Sequence, residues 1–136
     1  MRQMEDHPIT RPRPRRPRLD PITYMASRDV MEPADLTDDE LKDCVMSPLA
    51  RCSASGVDPD EWFPITSARK GARLEASRAL AVCNGCPVRA ECLEVSMRFW
   101  FAAGRHGVWG GYVEAERSDL RRDWLAGVPV RTLLGA

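Results

Sequence analysis

Three of the five cysteines in this 136-residue chain fall within ten residues, spaced C-x2-C-x5-C in the run Val82-Cys83-Asn84-Gly85-Cys86-Pro87-Val88-Arg89-Ala90-Glu91-Cys92-Leu93. No other feature constrains the fold as much, because thiolates so placed converge on one point. Gly85 is expected to take the left-handed backbone that a tight turn needs. Pro87 suits the first position of a helix. That puts Cys86 near the N-cap and Cys92 about a turn and a half inside. Backbone N–H groups and the positive end of the helix then face the sulfurs and favour thiolate over thiol. Three thiolates are one short of the set that a four-coordinate metal or an iron–sulfur cluster takes. The fourth must come from Cys52 or Cys44. Clustering favours Cys52, which lies between an acidic stretch and a Trp-Phe-Pro loop. Cys44 sits in a predicted helix and reads as a small buried hydrophobe.

Charge is balanced overall, 20 basic against 20 acidic residues, but not along the chain. Residues 1–18 carry a net +4, residues 19–61 a net −8 and residues 62–136 a net +4, an asymmetry that suggests partners at the ends. No apolar run approaches the roughly twenty residues of a membrane span, and no apolar segment follows the N-terminal charges as a secretory leader requires. A cytoplasmic setting is expected, where clustered cysteines bind metal or do redox chemistry more often than they form disulfide frameworks. An odd cysteine count points the same way. Few aromatics imply a small core, which a metal centre would help to hold.

Residues 1–34 read as a disordered Arg/Pro-rich arm and linker, since alternating Arg and Pro forbids helix. Thr37-Asp38-Asp39-Glu40 is a capping box, and Leu41, Val45 and Leu49 follow it at helical spacing. A helix is predicted from about Asp38 to Met46. Further helices are expected over residues 67–83, from Pro87 to about Ala103, and from Val113 to Ala126, where Gly127 ends the last. Trp62 and Phe63 lie in a turn-rich loop, either roofing a buried site or docking a partner. Gly104-Arg105-His106-Gly107-Val108-Trp109-Gly110-Gly111 predicts a tight hairpin-like turn. The fold class is therefore all-α: three to four short helices around the cysteines in a domain spanning 35–126, with a tail at 127–136.

Taken in order, C-x(n)-C-x2-C-x5-C, Asp-Pro-Asp-Glu-Trp-Phe-Pro after the first cysteine, Cys-Pro-Val inside the triplet and Gly-Val-Trp-Gly-Gly further on resemble the WhiB-like proteins of actinobacteria, over about Cys52 to Arg122. The resemblance implies a non-enzymatic, redox- or nitric-oxide-responsive transcription factor carrying a [4Fe–4S] cluster on Cys52, Cys83, Cys86 and Cys92. It implies docking on region 4 of the principal sigma factor, with Gly107, Val108, Trp109, Gly110 and Gly111 contributing beside Trp62 and Phe63. It also implies promoter DNA contact by the segment after the turn, here Arg117, Arg121 and Arg122. Arg13, Arg15 and Arg16 of the arm are further candidates through phosphate electrostatics. The chain departs from the family in a longer gap between Cys52 and Asp58, in the extra Cys44, and in a tail after Gly111 whose four arginines are offset by four carboxylates.

Two other classes share these residues. Four cysteines also suit a structural zinc ion. Cys83 and Cys86 could form a thiol–disulfide reductase pair, but that motif belongs in a βαβ setting, and almost no strand is predicted. No small-molecule substrate is expected.

Overall fold

The computed structural model describes residues 16–135, so Arg13, Arg15 and most of the predicted arm lie outside the described residues. The all-α expectation holds, with more and shorter helices than the periodicity suggested. They are α1 (Pro21–Ala26), α2 (Asp38–Val45), α3 (Arg69–Glu75), α4 (Ser77–Asn84), α5 (Arg89–Arg98), α6 (Glu114–Leu125) and α7 (Val130–Gly135), with 3-10 turns at Pro33–Asp35, Arg51–Ala54 and Pro59–Trp62. Among the described residues β structure is limited to one isolated bridge, Trp109 to Tyr112. No helix there is long and apolar enough to cross a membrane.

α5 is the axis of the molecule. Ala90, Glu91, Leu93, Glu94, Val95, Ser96, Met97 and Arg98 are all buried. Val95 belongs to one apolar cluster with Tyr24, Leu36, Leu41, Cys44, Ala50 and Val88. Leu93 and Met97 belong to another with Trp100, Trp124, Val130 and Leu133. The buried charges of α5 are matched. Glu94 accepts from Arg98 Nε at 2.8 Å and from Trp124 Nε1 at 3.0 Å. Arg98 also reaches Asp38 at 2.9 Å. Glu91 accepts from the Tyr24 hydroxyl at 2.5 Å. Together these bonds pin α1, α2 and α6 to α5.

The linker expected over residues 21–34 is instead structured. Asp20 caps α1 by accepting from Thr23 N at 3.1 Å, Pro21 opens the helix, and Tyr24 is buried. Asp-Pro is an N-cap followed by N1, a signal easily lost beside an Arg/Pro run. The predicted capping box of α2 forms as expected. Glu40 serves twice: one oxygen receives Thr37 N, the other Leu19 N and an Arg16 nitrogen, with the second Arg16 nitrogen on the first oxygen.

The helix predicted over residues 67–83 breaks at Ala76 into α3 and α4. The Glu61 carboxylate takes the Ala79 N–H at 3.0 Å, and a side chain inserted into the helical ladder bends the helix. The helix predicted from Pro87 to Ala103 starts later, at Arg89, and ends in a π-turn, Trp100–Gly104. That turn presses on α5, where a Cβ at Gly104 would lie 2.0 Å from Ser96 O.

Candidate metal centre

The four cysteines come from separate elements. Cys52 is exposed on the 3-10 turn Arg51–Ala54, Cys83 is buried in the last turn of α4, Cys86 is half-buried after it, and Cys92 lies in the first turn of α5. The C-x2-C step closes by Cys86 N donating to Cys83 O at 3.0 Å. Gly85 does not take the left-handed backbone expected of it: its φ is −99°. The step continues the helical sense of α4, so no glycine is required there. Cys86 precedes the N-cap of α5, Val88, by two residues, and Cys92 sits nearer the helix start than predicted.

The glycine segment is a hairpin, as predicted. Trp109 and Tyr112 exchange both backbone bonds, at 3.2 and 3.1 Å. Gly110 and Gly111 between them have φ of +59° and +82°, the sign that a two-residue type I′ turn requires at both central positions. The turn lies flat on α5. A Cβ at Gly110 would meet Leu93 at 2.9 Å, and one at Gly111 would meet Arg89 at 2.7 Å. This approach brings the Gly110 N–H to the Cys92 sulfur and the Gly111 N–H to the Cys83 sulfur. Arg89 secures the hairpin by donating to Gly110 O at 2.8 Å.

The sulfurs act on one another. The charge of Cys86 acts on Cys52, those of Cys86 and Cys52 on Cys83, and those of Cys83, Cys52 and Cys86 on Cys92. Burial pushes the Cys52, Cys83 and Cys92 thiols up, Cys92 to about 12, against the pull of the hairpin N–H groups on Cys83 and Cys92. Cys44 stands apart, buried among Tyr24, Leu36 and Leu41. Burial raises it to about 12, and its charged neighbours are Glu91, Asp43, Glu40 and Arg28. Among the described residues, no three His, Cys, Asp or Glu side chains gather tightly enough to hold a single metal ion.

The two aromatic segments predicted to bind a partner adjoin. Val108 N donates to Trp62 O at 2.9 Å, and the Phe63 ring packs on Gly107, where a Cβ would come within 2.8 Å of it. Trp62 is half-buried against the α3–α4 cluster, while Phe63 stays 63% exposed. Trp109 is half-buried, its Nε1 donating to His106 O at 2.7 Å.

Of the six arginines predicted to meet DNA, four are described, and three of these are engaged within the fold. Arg117 and Arg121 are buried, where the sequence reading expected them to face solvent. Arg117 donates to the Tyr112, Gly104 and Arg105 carbonyls. Arg121 lies over the rings of Trp100, Phe101 and Trp124. Val113, Arg117, Arg121 and Trp124 are spaced by three and four and form the inner face of α6, a stripe hidden by its charge. Arg16 is held in a fork on Glu40. Arg122 is exposed.

A family model described as transcription factor WhiB matches residues 48–120, and the chain belongs to that family. Transcriptional regulator WhiB2 of Mycobacterium tuberculosis is 38% identical over 72 residues, covering 53% of this chain and 71% of the relative. WhiB1 of the same species is 38% identical over 65 residues, covering 48% and 73%. WhiD of Streptomyces coelicolor is 40% identical over 73 residues, covering 53% and 61%. No solved structure matches the chain.

Proposed function

We propose that this protein is a transcriptional regulator that holds a [4Fe–4S] cluster on Cys52, Cys83, Cys86 and Cys92 and docks on region 4 of the principal sigma factor. The observation that carries this is the family match over residues 48–120, which takes in Cys52, Cys83, Cys86 and Cys92 and leaves Cys44 outside. When bound, the cluster supplies an anionic centre sensitive to oxygen and nitric oxide. The chain's own residues fit such a group. The Gly111 and Gly110 N–H groups lower the Cys83 and Cys92 thiols against the rise from burial, and Arg89 acts on Cys83 in the same sense, interactions of the kind that tune iron–sulfur sites.

A zinc ion is the alternative occupant. Four cysteines also suit a structural zinc ion, and iron and sulfide content after anaerobic purification separates the two. A reductase fits less well: burial raises the Cys83 thiol, whereas redox-active thiols are lowered. Among the described residues there is no sheet to seat one.

Trp109 and Phe63 offer the docking surface beside the hairpin, so the state of the sulfurs is felt there through Gly110 and Gly111. Promoter choice then comes chiefly through the sigma factor, with Arg122 and the arm left for phosphate. The protein is expected to work in the cytoplasm. Capture of sigma region 4 by anaerobically purified protein tests this directly. Wild type should retain it, and Trp109→Ala and Phe63→Ala should lose at least about 1 kcal/mol of affinity each. Equal capture by all three would remove the hairpin surface from the account.

A further inference from the structure

Arg89 opens α5, and its half-buried side chain turns to the glycine hairpin. Nε donates to Gly110 O at 2.8 Å. The guanidinium carbon lies 5.5 Å from the centre of the Tyr112 ring. The same group runs along the Gly111 backbone: a Cβ there would come 2.7 Å from Nη2, 2.8 Å from Nε and 3.0 Å from Cζ. The Arg89 main chain joins the contact, since a Cβ at Gly110 would lie 3.2 Å from its carbonyl oxygen. Three consecutive hairpin residues, Gly110, Gly111 and Tyr112, thus rest on one residue of α5.

The hairpin has little to fix it from within. Its two backbone bonds, Trp109 N to Tyr112 O at 3.2 Å and Tyr112 N to Trp109 O at 3.1 Å, form an isolated bridge. A lone two-stranded hairpin is marginal in water, and glycines at both turn positions bring no side chain to pack. Other bonds grip the arms: Val108 N donates to Trp62 O at 2.9 Å, and Arg117 Nη1 to Tyr112 O at 2.5 Å. Arg89 grips the turn. A planar guanidinium can donate in its plane while a flat surface lies against it, which a lysine ammonium cannot do.

We propose that Arg89 is the positioning residue of the docking surface: its guanidinium seats the Gly110-Gly111 turn on α5 and so sets where Trp109, the residue before the turn, is presented to a partner. This rests on the sigma-factor docking proposed above. It also gives Gly111 a second reason to be glycine besides its φ of +82°, because the guanidinium fills the space that a side chain would take.

The test uses the full chain purified anaerobically as wild type, Arg89→Ala and Arg89→Lys. Two quantities are read on the same samples: amide hydrogen exchange residue by residue, and affinity for sigma region 4. In Arg89→Ala the Trp109 and Tyr112 amides should exchange about tenfold faster, the loss expected of one hydrogen bond from a charged donor. Leu41 in α2 and Met97 in α5 should keep their rates. Affinity should fall about tenfold as well. Arg89→Lys should resemble Arg89→Ala in both readings, because it keeps the charge and loses the plane. Gly111→Ala approaches the contact from the other side. It should speed hairpin exchange more in the wild-type background than in Arg89→Ala, where no guanidinium opposes the new methyl, since contacting residues are not additive.

Unchanged exchange at the hairpin would show the turn seated without Arg89. Faster exchange spread evenly through α2 and α5 would make the residue a general stabiliser. An Arg89→Lys chain that behaves as wild type would reduce its role to charge, and equal effects of Gly111→Ala in the two backgrounds would dissolve the contact. Any of these overturns the proposal. Trp109→Ala separates it from the function beneath it: if that variant and wild type capture sigma region 4 equally, the docking reading fails, and the exchange readings still decide whether Arg89 seats the turn.

Discussion

The two sides of α5 are built differently. On one side α1, α2, α6 and α7 bury Tyr24, Leu41, Leu93, Met97, Trp100 and Trp124, with Glu94 and Arg98 paired and hydrogen-bonded. On the other, α3 and α4 bury mainly Ala72, Ala76, Ala79, Leu80 and Cys83, while Ile65 and Leu74 remain 96% and 72% exposed. A buried methylene contributes about 0.8 kcal/mol, a fully buried Leu, Ile or Phe about 1.5–3 kcal/mol. The first side can hold itself together with side chains. The second is poorer in apolar bulk, and the proposed metal centre would join Cys52, α4 and α5. Metal binding in such a module is folding free energy. In the proposed function a permanent scaffold would be coupled to a metal-dependent half.

The comparison breaks most visibly at Trp124. Trp124→Ala should cost about 3–5 kcal/mol by chemical denaturation, equally in metal-loaded and metal-free protein. A loss confined to the loaded form would merge the two halves.

Glu40 comes next. Burial alone would raise its carboxyl, but the Arg16 bond and the Leu19 and Thr37 N–H groups outweigh this and hold it at about 2. A depressed carboxyl stabilises the fold above its unfolded value and loses that contribution as pH falls through the folded one. Stability should therefore drop between about pH 4.5 and 2. Glu40→Gln should be weaker by about 2 kcal/mol at neutral pH and show a shallower acid slope by circular dichroism, whether or not metal is present.

Glu61→Ala probes the conditional half alone. It removes the cap on Ala79 N and the partner of Arg78. About 1 kcal/mol should be lost, read as faster amide exchange in α4 with α5 unchanged. Slower effects in α5 at the same time would extend the cooperative unit across the molecule.

The smallest effect is expected at Gly85→Ala. With φ at −99° and 3.9 Å to the nearest side-chain atom, an alanine fits, and stability should move by no more than about 0.5 kcal/mol in a thermal melt. A large loss would mean that the C-x2-C step needs glycine after all.

Much of this architecture was legible in the sequence. The cysteine spacing, the Thr37–Glu40 capping box and the Gly110-Gly111 hairpin each require particular residues at particular offsets, and each is where the sequence places it. What escaped has a shared cause: long-range partners override local rules. Glu61, seventeen residues upstream of Arg78, splits a helix that periodicity reads as one. Arg117 and Arg121 look solvated because they are charged, yet carbonyls of the hairpin and π-turn and three aromatic rings take them inward. Tyr24 and Asp20 specify a helix, but the neighbouring Arg/Pro run masks it. Gly85 invites a left-handed turn that the continuing helical backbone makes unnecessary.

Metal content after anaerobic purification is the most direct measurement of all, made on Cys52→Ala and Cys44→Ala side by side. Iron and sulfide should fall sharply in the first and match wild type in the second. Full iron in Cys52→Ala, or its loss from Cys44→Ala, would contradict the proposed four-sulfur centre and its role in joining the α3–α4 half to the rest.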